Sequence, residues 1–168
     1  ETFFSKVRPQ AETEIDVAGM IKLNVIPEDI AKKATPKEIE QWLWLEFGSY
    51  PLAVDVKHDF EKMMVGYVDM FDKRDKFSFF GYNARFYSDM IREFYARQGD
   101  KYFGSWFYFP PEDVMNLAAV AVRIMGKRNE LENFKLISLC RMFGIELLGA
   151  HDALNDIRAT KQLYDRAL

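Results

Sequence analysis

Apolar positions along this chain recur with two different periods, and each period predicts a different kind of element. Thr2 to Arg8 alternates, with Phe3, Ser5 and Val7 on one face and Phe4, Lys6 and Arg8 on the other, until Pro9 closes the run. A period of two over that length predicts a short strand. Thr35-Pro36-Lys37-Glu38 is a capping box with proline at the first helical position, and Ile39, Trp42, Leu43 and Phe47 follow at helical spacing. A helix is therefore expected after Thr35. Phe60, Met63, Met64, Tyr67, Val68 and Phe71 repeat with the same period and predict an amphipathic helix from about Asp59 to Phe71. Core packing accounts for both stripes.

After the polar turn Asp72-Lys73-Arg74-Asp75, the continuous apolar run Phe77-Ser78-Phe79-Phe80 predicts a strand buried on both faces, closed by Gly81. Phe86, Met90, Ile91 and Phe94 share a helical face, and Trp106 to Phe109 predicts another short strand before Pro110-Pro111. From Glu112 to Met125 the stripe Val114, Leu117, Ala118, Ala121, Val122 and Met125 is helical again. Two more helices are expected. One carries Leu136, Leu139, Cys140 and Phe143 and stops at Gly144; the other carries Ala153, Ile157, Thr160, Tyr164 and Ala167. Strands alternating with helices predict an α/β layer structure, although three strands for so many helices make an incomplete sheet.

Composition narrows the class. With 168 residues, 49% of them apolar, the chain can bury one core, and no Gly/Ser linker or repeat divides it, so residues 1–168 are expected to form one domain. No apolar run approaches the roughly 18–20 residues of a membrane span and no basic-then-apolar leader is seen, which predicts a cytoplasmic protein without a membrane partner. The lone Cys140 excludes an internal disulfide framework and a cysteine zinc site, and reads as a small core residue. A net charge of −3 gives no global attraction to polyanions, so contact with nucleic acid would require a local cluster or bound cations.

Candidate chemistry gathers in Ala150-His151-Asp152-Ala153-Leu154-Asn155-Asp156. Asp152 is placed to cap the last helix, where an anion is favoured by roughly 0.3–1 kcal/mol. His151 stands just outside the helix and Asp156 one and a half turns in, a spacing that lets an imidazole and a carboxylate face one cleft. Such a pair suits hydrolysis, since a carboxylate holds a hard cation such as Mg²⁺ and a neutral histidine takes a proton from water. Residue types alone leave a surface histidine and a solvated aspartate as the alternative.

The string His151-Asp152-Ala153-Leu154-x-Asp156-Ile157-x-Ala159-Thr160 resembles the third motif of the DnaQ-like, DEDDh 3′-5′ exonucleases of the ribonuclease H-like superfamily. Phe134-Lys135-Leu136 leading through a helix to Gly144-Ile145 is similar to the family's approach to that motif. Gly81-Tyr82-Asn83-Ala84-Arg85-Phe86 resembles the second motif, Gly-His-Asn-x-x-Phe-Asp, with Tyr87 where the aspartate belongs. A tyrosine ligates metal only as a phenolate, well below its usual pKa of about 10. Asp89, two residues on, is turned by about 200° and is no simple replacement. Asp113 matches an Asp-x-x-x-Leu-Ala segment whose aspartate supports structure, and a helix N-cap explains it without catalysis.

The resemblance implies a ribonuclease H-like three-layer fold with a mixed central sheet flanked by helices. It implies a metal-dependent 3′-5′ exonuclease that hydrolyses phosphodiester bonds at the 3′ ends of single-stranded DNA or RNA. His151 would be the general base and Asp156 a ligand to one of two divalent cations, Mg²⁺ or Mn²⁺, with Asn83 and Phe86 lining the cleft. It also leaves room for a polymerase or other protein partner. Phe3 to Pro9 resembles the family's third strand, so the Asp-x-Glu strand is expected about 25–30 residues upstream. Asp55 in Leu52-Ala53-Val54-Asp55-Val56-Lys57 imitates that strand, but Lys57 stands where glutamate should be, and roughly 25 residues before the second motif are too few.

Two other readings compete. A catalytically degenerate homologue would bind nucleic acid or protein without turnover, as Tyr87 and the absent Asp-x-Glu suggest, and a purely structural partner domain would fit the acidic balance. The aromatic run Tyr102 to Tyr108 offers base stacking or core packing, and Lys73, Arg74 and Lys76 offer a phosphate contact or a solvated loop.

Overall fold

The computed structural model describes residues 3, 5–7, 20, 26–147 and 152–168. The chain divides into two compact units, Glu1–Tyr67 and Val68–Leu168. Among the described residues there are eight α-helices and one two-stranded parallel sheet, a mixed α/β architecture. No helix of the described residues is long and apolar enough to cross a membrane.

The first unit holds α1 (Glu28–Lys33), α2 (Pro36–Gly48) and α3 (Ala53–Met64). Helix α2 starts where the capping box requires. The Glu38 amide donates to the Thr35 hydroxyl, and the Thr35 amide donates to the Glu38 carboxylate at 2.7 Å. Those hydrogen bonds from Thr35 hold the Glu38 carboxyl below its ordinary pKa. Ile26, Ile39, Leu43 and Phe47 form the core, with Trp42, Trp44 and Tyr50 packed against it.

Helix α3 corrects two expectations. It begins at Ala53 rather than near Asp59, so Asp55 lies in its first turn, and its buried face is Val56 and Met64. It stops at Met64 instead of continuing to Phe71. Val65 to Tyr67 turn away, Gly66 is a poor helix former, and beyond them Asp69 and Asp75 accept from the amides of Phe71 and Asp69. Tyr67 and Phe71 are consequently exposed. Of the strand expected over Thr2 to Arg8, Phe3 and Ser5 to Val7 are described and none lies in a strand; the rest lies outside the described residues. The Phe3 ring instead sits 5.2 Å from that of Phe60.

The second unit runs β1 (Phe80–Gly81), α4 (Ala84–Arg97), α5 (Phe103–Trp106), β2 (Glu112–Asp113), α6 (Val114–Ile124), α7 (Leu136–Met142) and α8 (Ala153–Ala167). β1 and β2 are parallel, with Phe80 opposite Glu112 and Gly81 opposite Asp113, and Phe77 bridges to Phe107. Both strands end where a helix is about to begin. In parallel sheets that carboxyl edge is where ligand crevices form.

Two strand expectations need correction here. The Phe77 to Phe80 run is not buried on both faces, since Ser78 and Phe80 are exposed while Phe77 and Phe79 are half-buried. It has a described partner along one edge only, the 107–112 segment, so its apolar character supports a one-sided ribbon. The strand expected over Trp106 to Phe109 is shortened to the bridge of Phe107 with Phe77, because Trp106 closes the helical turn α5, in which Phe103 and Trp106 are buried and Phe103 meets Tyr95. Pro110 and Pro111 have no amide to donate, so pairing resumes only at Glu112, whose N–H donates to the Phe79 carbonyl at 2.8 Å.

Helices α6, α7 and α8 enclose the main core: Val114, Ala118 and Val122, Leu139 and Cys140, and Ala159 and Leu163. Cys140 is a buried core residue. Helix α7 ends as expected at Gly144, whose φ of 65° is left-handed. The Gly144 amide donates to the Arg141 carbonyl and the Ile145 amide to the Cys140 carbonyl at 2.7 Å. From the end of α8, Arg166 donates to the carbonyls of Phe143 and Gly144. A Cβ at Gly144 would stand 3.3 Å from the Arg166 Nη1 as well as straining the backbone. Gly144→Ala is therefore expected to cost about 1 kcal/mol. A thermal melt checks this, with a Tm fall of roughly 4–8 °C.

Candidate functional site

The chemistry-bearing residues stand at the ends of β1 and β2 and in the first turn of α8. Beyond Gly81 the chain turns through Tyr82 and Asn83, and Asn83 takes φ 61° and ψ 51°, a left-handed conformation that asparagine tolerates. The Tyr82 ring packs against the main core and its hydroxyl donates to the Phe134 carbonyl. Burial pushes the Tyr82 phenol well above its ordinary pKa, with Cys140 and Asp113 adding to the effect. Asp113 caps α6 by accepting from the Met115 amide at 3.0 Å and also accepts from the Asn83 amide at 3.3 Å.

Helix α8 packs against β1. Asp152 caps it by accepting from the Asn155 amide at 3.0 Å, as its sequence position predicts. Asp156, half-buried in the first turn, takes no part in the cap through its side chain. Burial raises the Cys140 thiol pKa, and the charge of Asp156 pushes it in the same direction. Asp156, Cys140, Tyr82 and Asp113 thus form a chain of groups within electrostatic reach, from the first turn of α8 to the turn after β1. The stacked rings of Phe80 and Tyr164, 5.3 Å apart, hold α8 against β1.

His151, the expected general base, lies outside the described residues. Phe86 and Tyr87 are both about half exposed, at 54% and 51%, and their rings meet edge to face at 5.3 Å in the first turn of α4. The Phe86 amide donates to the Asn83 carbonyl, which ties this aromatic pair to the turn. Asp89 is engaged elsewhere, pairing with Arg92 at 2.9 Å and Arg85 at 3.8 Å. Within the aromatic run, Phe103 and Trp106 belong to the core. Two members of the basic turn are committed internally: Lys76 donates to the Gly104 carbonyl, and Arg74 pairs with Asp72.

Among the described residues, no three His, Cys, Asp or Glu side chains gather into a metal site. Asp113 and Asp152 each spend an oxygen on amides. A Mg²⁺-type ion is commonly held by one or two protein carboxylates together with substrate phosphate oxygens. Asp156 fits one such ion, and the described residues do not supply carboxylates for two.

Compared with protein-family models, curated proteins and solved structures, the chain matches none.

Sequence reasoning missed Tyr82 and Cys140 as the link between the two halves of the site. The available signal was Tyr82 itself, a large phenol where the resembled motif carries histidine. The Asn83–Asp113 contact joins positions 30 residues apart and leaves no local signature.

Proposed function

We propose that this chain is a 3′-5′ exonuclease of the DnaQ-like, ribonuclease H-like type, hydrolysing phosphodiester bonds at the 3′ ends of single-stranded DNA or RNA with Mg²⁺ or Mn²⁺. What supports the reading is that α8, which carries Asp156, packs on β1, which leads into the Tyr82–Asn83 turn, with the rings of Phe80 and Tyr164 stacked at 5.3 Å. Those positions belong to the third and second resembled motifs, which are more than 60 residues apart in the chain. Every residue assigned to the site lies in the Val68–Leu168 unit.

In this reading Asp156 holds a divalent cation, which supplies charge compensation for the scissile phosphate and so removes the difficulty of an acidic protein meeting a polyanion. His151 takes a proton from the attacking water. The water oxygen bonds to phosphorus, the bond from phosphorus to the 3′ oxygen of the preceding nucleotide breaks, that oxygen takes up a proton from solvent to become the new 3′ hydroxyl, and a nucleoside 5′-monophosphate leaves. The half-exposed Phe86 ring offers a face for the terminal base, worth about 1–3 kcal/mol per stacked base. Asn83, held beside it, lines the same cleft.

One observation favours a second reading, a non-catalytic homologue that binds nucleic acid or protein. Tyr87 presents a half-exposed phenol packed against Phe86 at the place where the resembled motif has a carboxylate. A 5′-labelled single-stranded oligonucleotide incubated with Mg²⁺ or Mn²⁺ separates the two. The enzyme reading expects a ladder shortening from the 3′ end, slowed about 10²–10⁴-fold in His151→Ala. Retained oligonucleotide without shortening supports the binding reading. Absence of any affinity at low salt, where electrostatic attraction is strongest, rejects the enzyme and the nucleic-acid-binding form of the second reading, leaving protein binding.

A further inference from the structure

We propose that Asp113 is a positioning residue whose carboxylate clamps the turn after β1 to the start of α6, and so fixes Asn83 and, through it, Phe86. Its part in placing a substrate rests on the exonuclease reading; the clamp itself does not.

Asp113 Oδ1 accepts two amide hydrogens, from Met115 at 3.0 Å and from Asn83 at 3.3 Å. The first is an ordinary helix cap. The second reaches across the sheet, where the register sets Gly81 opposite Asp113 and delivers the Asn83 amide to the carboxylate. Among the described residues Asn83 is the non-glycine residue with a positive φ, a conformation that persists when its surroundings hold it. Its amide is held by Asp113, while its carbonyl accepts from Phe86 at 3.1 Å, so the clamp passes directly to the exposed aromatic pair. A carboxylate serves here better than a neutral acceptor because bonds to a charged group are stronger and one oxygen is shared between two donors.

Three substitutions separate the cap from the clamp. Asp113→Ser keeps a good N-cap for α6 but is too short to span to Asn83 as well. Asp113→Asn keeps an acceptor of the right length, and Asp113→Ala removes both contacts. Amide hydrogen exchange reads the clamp without any need for activity. In Asp113→Ser the Asn83 amide is expected to exchange about tenfold faster while Met115 stays close to wild type, and Asp113→Asn should restore most of the protection. If the chain shortens oligonucleotides, Asp113→Ser should raise KM more than it lowers kcat, again with rescue by Asp113→Asn. Equal exchange at Asn83 in wild type and Asp113→Ser overturns the clamp, whatever the enzymatic result. Faster exchange in a chain that shortens no oligonucleotide leaves the clamp standing and removes the exonuclease reading.

Discussion

Asp156→Asn is expected to lower the rate of 3′-end shortening by at least about a hundredfold while leaving the melting temperature nearly unchanged. The substitution keeps the size and polarity of the side chain but removes the charge that a divalent cation needs. Loss of a cation's charge stabilisation is worth several kcal/mol, and each 1.36 kcal/mol is tenfold in rate. Stability should survive because the cap of α8 belongs to Asp152, not Asp156. A second readout is independent of turnover. The charge of Asp156 is one of two causes that raise the Cys140 thiol pKa, so the thiol should titrate at lower pH in Asp156→Asn, with burial alone then holding it up. Initial rates on a labelled oligonucleotide, a melt and a thiol titration together check the prediction. An unchanged rate in a wild-type-active protein would remove Asp156 from the site.

Leu163→Ala should be strongly destabilising, at about 2–5 kcal/mol. Leu163 is fully buried on the face of α8 that closes the core made with α6 and α7. Emptying that position removes apolar burial and leaves a cavity among three packed helices. Against a total stability of about 5–15 kcal/mol, this is a large fraction. Urea unfolding should show the midpoint falling with little change in slope, and Leu163→Ile, which keeps the volume, should lose less than about 1.5 kcal/mol. Because Asp156 lies on the same helix, activity should fall with the folded fraction and not ahead of it.

Features legible in the sequence were those fixed by chemistry within a turn of helix. Thr35 and Glu38, Asp113, Asp152 and Gly144 all act on amides or carbonyls within four residues, so their caps and stops stand where their spacing puts them. Strand extents were not legible, because what decides them is the partner. The Phe77 to Phe80 run has the apolar content of a two-faced strand, yet its burial alternates because described pairing reaches it from one edge. Helix α3 was misplaced toward Phe71 because periodicity registers apolar spacing and ignores the side-chain bonds of Asp69 and Asp75 that reward a turn. At the site, the first-turn position of Asp156 followed from its distance to Asp152. The Asn83–Asp113 bond and the burial of Tyr82 and Cys140 in one core depend on tertiary packing between distant parts of the chain.

The account stands on one cleft shared by the first turn of α8 and the turn after β1. Titration of isotope-labelled protein with Mn²⁺ and a nucleoside 5′-monophosphate, followed by amide NMR, tests that directly. Paramagnetic broadening should appear together at Asn83, Phe86 and Asp156 before it appears elsewhere. Broadening centred on the acidic turn at Asp69, Asp72 and Asp75, with Asp156 and Asn83 untouched, would contradict it.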